Sequence, residues 1–117
     1  MRPPHLSSGR EEVLRCLSPA PDTLAFAGSL TFTTAAQALR EGSQALARRS
    51  RLDLSGVEHT DSAGLAVVLA LLAQASRGGQ PLALLHAPEG MLALAEVCDA
   101  RGLLERGATP RAPDPAQ

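Results

Sequence analysis

Leu52-Asp53-Leu54-Ser55-Gly56-Val57, followed by Asp61-Ser62-Ala63-Gly64-Leu65, changes its hydrophobic period part-way along, and that change decides the fold. Leu52 and Leu54 alternate with Arg51, Asp53 and Ser55, the two-residue period of a strand with one wet face. From Leu65 the period lengthens, and Leu65, Val68, Leu69 and Leu72 form one helical stripe. Residues 56–60 read as a loop between the two. The helix is expected to start at Asp61 or Ser62 and run to Arg77, about 24 Å at about 1.5 Å per residue. Gly78-Gly79 then supplies a left-handed stop. A strand wet on one face implies a sheet covered by helices on one side only.

Working outward, residues 13–17 and 24–27 are short apolar runs separated by Ser18-Pro19-Ala20-Pro21-Asp22, a strong turn cluster. They predict an antiparallel pair, although alanine is a weak strand former. A first helix follows, with Phe32, Ala35, Ala36, Leu39, Gly42, Ser43 and Leu46 on one face. Thr34 and Gln37 have the spacing of a capping box, and Gly42 and Ser43 permit close packing. Residues 82–87 read as a strand. Pro88 and Glu89 open a third helix whose buried stripe is Met91, Leu94, Ala95 and Cys98 and whose end is Gly102; Leu103-Leu104 adds a short last strand. The expected class is α/β, a mixed sheet with helices on one face in the order ββαβαβα(β), with right-handed crossovers between parallel strands. Residues 1–10 read as a disordered extension, 11–107 as the domain and 108–117 as a disordered Pro-rich tail.

At 117 residues the chain holds one core. Its net charge is −1, every basic residue is Arg, and the aromatics are Phe26 and Phe32 alone. That balance argues against a nucleic-acid partner, which calls for a basic patch or stacking rings. The absence of Lys, Asn, Ile and Tyr reflects GC-rich codon usage, so each Arg carries little meaning on its own. Cys16 and Cys98 lack metal or disulfide spacing and are expected to be reduced and buried. No signal peptide is visible, and the apolar run 65–73 is about half the roughly 18 residues of a spanning helix. Direct membrane insertion is therefore not expected.

The strand ending in Asp53-Leu54-Ser55, the short loop and Asp61-Ser62-Ala63-Gly64-Leu65 together resemble the STAS family of sulfate transporters and anti-sigma factor antagonists. The resemblance spans roughly residues 13–106 by element order and is specific over 52–72; Gly28-x-Leu30 adds weaker support. It implies a SpoIIAA-like fold. In the anti-sigma branch a phosphorylated serine stands immediately before the glycine, where this chain has Ala63. In the branch similar to MlaB, a subunit of the Mla phospholipid ABC transporter, a hydroxyl residue follows the aspartate directly and a small residue precedes the glycine. Asp61-Ser62-Ala63-Gly64 fits that order, with Ser where Thr is usual.

The MlaB-like resemblance implies a cytoplasmic accessory subunit without enzymatic activity. It would bind the transporter's ATPase subunit and, through it, the membrane permease of a system that maintains outer-membrane lipid asymmetry. The partner-binding residues it implies are His59, Thr60, Asp61, Ser62, Ala63 and Ala66. The alternative is an anti-sigma factor antagonist with Ser62 as phosphoacceptor. On the residues alone, Asp61 reads first as an N-cap. Ala63, Ala66, Ala70 and Ala73 form a shallow second stripe that either a neighbouring helix or a partner covers. His59, Asp61 and Ser62 make no catalytic elbow, and Glu58, His59 and His86 have no metal-ligand spacing. No cofactor is implied. Asp53 is expected on the open sheet face, accepting local hydrogen bonds, and Arg48, Arg49 and Arg51 at a solvated helix end.

Overall fold

The second strand, β2 (Thr23–Leu30), is the spine of the molecule: Leu24, Phe26 and Leu30 on its covered side are essentially without solvent exposure. The computed structural model describes residues 12–108. The expected extension 1–10 and nearly all of the tail 108–117 lie outside the described residues, Ala108 being the last residue of a helix.

On one side β2 pairs antiparallel with β1 (Leu14–Ala20), and on the other it pairs parallel with β3 (Arg51–Thr60). β3 in turn pairs parallel with β4 (Ala83–Leu85), so the order is β1-β2-β3-β4. The helices are α1 (Ala35–Ala45), α2 (Ser62–Arg77), α3 (Glu89–Val97) and α4 (Arg101–Ala108). This is the expected mixed sheet, and its weak-propensity strands hold because tertiary burial overrides propensity. Ala25 and Ala27 on the other face of β2 are small enough to be shielded by the neighbouring strands.

Arg49 closes the β1–β2 hairpin. Its guanidinium donates to the carbonyls of Pro21 at 2.9 Å, Ala20 at 3.3 Å and Thr23 at 3.4 Å, and to the Ser18 hydroxyl at 2.9 Å. Its Nε donates to the Ala45 carbonyl at 2.9 Å. A residue expected merely to solvate a helix end thus ties that end to the turn, using the fork geometry particular to arginine.

Residues 56–60 are strand, not loop. β3 carries two bulges, between Asp53 and Gly56 and between Val57 and His59, so ten residues of β3 run beside eight of β2. Each bulge inserts an extra residue and breaks the alternation, which is why the pattern read from sequence stops at Ser55.

α2 begins and ends where expected, and Gly79, at φ 82°, takes the left-handed position of its stop while Gly78 remains at φ −80°. Gly79 N–H donates to Ser76 O and Gln80 N–H to Ala75 O, the paired bonds of a Schellman motif. The buried face of α2 is wider than the predicted stripe. Leu71 and Val67 join Leu65, Val68 and Leu72, while Leu69 is half-buried, because α2 meets the sheet below and α1, α3 and α4 at its flanks. Gly42 permits the α1–α2 approach: a Cβ there would lie 2.8 Å from Leu71 Cδ1.

Three expectations fail in the helices. The Thr34–Gln37 capping box does not form; Thr34 Oγ1 accepts from Thr31 N–H at 3.0 Å and donates to Ser29 O at 2.8 Å, and Gln37 donates to Leu14 O at 3.1 Å. The predicted α1 face holds only in part: Gly42 is buried and Ala35 and Leu46 pack against the core, but the buried line runs through Ala38 and leaves Phe32, Ala36 and Leu39 facing out. Finally, α3 stops at Val97 rather than Gly102. Asp99 takes the left-handed conformation at φ 59°, and Asp99 N–H and Ala100 N–H cap Glu96 O and Ala95 O. The turn puts Cys98 in solvent and starts α4, so Leu103 and Leu104 are helical; Leu104 is buried in the core cluster and α4 packs against β4. Cys16 is half-buried, and burial together with the Glu41 charge pushes its thiol up.

Candidate functional site

Asp61 organises the start of α2. Its backbone is extended, φ −144° and ψ −167°, and its Oδ1 accepts from Ala63 N–H at 2.9 Å and Gly64 N–H at 3.1 Å. This is the side-chain cap the sequence predicts, and the carboxylate also suits the positive end of the helix. Its other oxygen, Oδ2, accepts from Phe32 N–H at 3.0 Å, a bond to the β2–α1 loop that sequence reasoning does not reach.

Gly64 is required by close approach. A Cβ there would lie 2.2 Å from Leu30 O and 2.4 Å from Thr60 Oγ1, closer than any real contact. The glycine therefore seats the first turn of α2 directly on the ends of β2 and β3. Thr60 pays for the seating: its hydroxyl is turned inward and, among the described residues, has no hydrogen-bond partner.

The predicted site residues divide by orientation. His59 and Ser62 are exposed, Ala63 is half-buried and Ala66 is exposed. Asp61 is half-buried with its carboxylate spent on three backbone N–H groups, and Thr60 faces the interior. Beside them α1 and α2 leave a shallow apolar groove of about 470 Å³. Ala63, Ala66, Val67 and Ala70 line one wall, and Ala35, Ala36 and Leu39 line the other. Phe32 also lines it, and is 82% exposed. The alanine stripe is thus only partly covered by the neighbouring helix.

Phe32, like Ala36 and Leu39 of the same groove, is counted by the sequence reading into the α1 core face and is instead exposed. The available signal was its position before Thr34, ahead of the first helical turn, in a chain with only two aromatics. The loop that carries it is well held. Thr31 is buried, its hydroxyl donates to the Glu12 carboxylate, and its N–H donates to Thr34 Oγ1.

Away from this site, Asp53 lies where expected and accepts from Ser55 N–H at 2.9 Å. It also meets His86 Nδ1 at 3.1 Å, with His86 held at φ 58° just after β4. Burial pushes the Asp53 carboxyl up, but hydrogen bonds from Ser55 and His86, together with the His86 charge, outweigh it and hold the group below the usual range. His86 sits near the start of β3 and His59 at its far end, so the structure does not bring the two histidines together.

A family model described as Mlab, STAS domain matches residues 15–105, well over half the chain. The chain belongs to the Mlab STAS-domain family. No curated protein matches. Among solved structures, that of the anti-sigma factor antagonist SpoIIAA in its unphosphorylated form is similar, with a TM-score of 0.57 at 16% identity. The match covers 72% of this chain and 82% of that one. At that identity the likeness shows the fold, and the fold is SpoIIAA-like. The Mlab STAS match contains the whole Asp61 cap, the groove and the Phe32 loop.

Proposed function

We propose that this chain is a non-catalytic docking subunit that binds the cytosolic ATPase of an Mla-type phospholipid ABC transporter and supports its assembly and activity. Through that ATPase it is held at the membrane permease, in a system maintaining outer-membrane lipid asymmetry. One observation carries the reading: the acid-capped start of α2 turns exposed Ser62 and Ala66 outward beside an all-apolar groove that α1 leaves open. Small side chains there let another protein's backbone approach closely, and an uncovered apolar surface on a small domain favours a partner. Membership of the Mlab STAS family supports the choice of partner. The non-catalytic character is supported by Asp61, whose oxygens are occupied by backbone donors and so do not orient a base. Among the described residues no helix is long and apolar enough to cross a membrane, and in this reading the membrane connection runs through the partner.

Ser62→Arg tests the site. The side chain is exposed at the first helical position, so the substitution leaves the fold intact. Co-purification with the ATPase subunit is expected to be lost while the circular dichroism spectrum stays unchanged; undiminished co-purification removes this surface from the account.

A second reading, an anti-sigma factor antagonist switched by phosphate, is favoured by the exposed Ser62 hydroxyl. Ala63, lacking a hydroxyl, weighs against it. Stoichiometric phosphate on Ser62 after incubation with a sigma-regulating kinase, read by mass spectrometry, would select this reading over docking on a transporter.

A further inference from the structure

We propose that Phe32 is the anchor of the docking surface, its ring entering an apolar pocket of the ATPase subunit, and that Asp61 is the positioning residue that fixes the backbone from which the ring projects. The inference rests on the docking reading and names the residue that carries its affinity. Phe26 is buried in the core, whereas Phe32 stands at the groove 82% exposed. A ring this exposed adds little burial to the monomer, whereas aromatic rings, phenylalanine included, are enriched in the cores of protein interfaces, where a few anchors carry most of the binding energy.

The backbone that carries the ring is also held in advance. Asp61 Oδ2 fixes the Phe32 backbone N–H while Oδ1 fixes the start of α2, so one carboxylate ties the anchor to the helix that presents Ser62 and Ala66. Thr34 and the Thr31–Glu12 contact secure the residues on either side. Ordering a loop backbone before association removes part of the entropy cost of binding.

The carboxylate has two acceptor oxygens, and both are used; an amide has only one. Asp61→Asn therefore keeps the α2 cap or the Phe32 bond, and the two N–H groups on the helix favour the cap. In the full chain, Asp61→Asn is expected to speed exchange of the Phe32 amide while Ala63 and Gly64 stay protected. Affinity for the purified ATPase subunit should fall about tenfold, as should that of Phe32→Ala, with melting temperatures close to wild type. Ser62→Arg is measured alongside. Loss of binding in Ser62→Arg with Phe32→Ala binding like wild type overturns the anchor and leaves the docking surface standing. Undiminished binding in both overturns the two together. An unchanged Phe32 amide in Asp61→Asn overturns the positioning role.

Discussion

Gly64 shows most sharply how one residue builds this surface. The main chains of α2 and β2 approach so closely that a single methyl at residue 64 would strike the Leu30 carbonyl, which is backbone and cannot step aside. Gly64→Ala is therefore expected to cost at least about 2 kcal/mol, more than its gain in helix propensity, and to lift the start of α2 from the sheet. Urea unfolding measures the cost, and a stability equal to wild type would mean the approach is looser than described. Asp53 offers a second test, through pH. Its folded-state carboxyl lies below the ordinary aspartate value of 3.8, so its contribution is complete above that value. The contribution is lost as pH falls from there through the lower folded-state value. The stability gap between wild type and Asp53→Asn should accordingly be present at neutral pH and close on acidification; a gap that widens in acid would contradict the assignment.

Among the elements, the end of α3 carries a conformational cost. Asp99 occupies the left-handed position of a Schellman cap, which glycine takes without penalty. Asp99→Gly should stabilise the protein by about 0.5–1 kcal/mol, less the extra entropy of the unfolded glycine, read as a rise in the urea midpoint at unchanged slope. This cap also explains why sequence reading placed the helix end at Gly102: glycine is the usual stop signal, and an aspartate in that role leaves no distinctive mark. Element existence was legible wherever period and caps agreed, as in α2 from Asp61 to Gly79. It failed where tertiary geometry intervened. The bulges of β3 hid the second half of a strand, and α1 is buried along Ala38 and Gly42 rather than along its larger residues.

For the whole molecule, the fold and the proposed docking surface are linked through the same few contacts. Helices lie on one face of the sheet, and α1 and α2 stop short of closing the apolar groove between them. Asp61 and Ala66 were legible as site candidates because a capped helix start and a small-residue stripe leave a sequence pattern. The Phe32 contact was not, since the Asp61 side chain reaches a loop 29 residues earlier in the chain, where no local spacing reports it. The central claim concerns which face meets another protein. Hydrogen–deuterium exchange of the full chain, alone and bound to the transporter ATPase subunit, tests it most directly. New protection should gather at residues 61–66, the α1–α2 groove and the Phe32 loop, leaving the open sheet face unchanged. Protection gathered instead on the open sheet face around Arg15 and Ser55, with the α2 start exchanging as in the free protein, would contradict it.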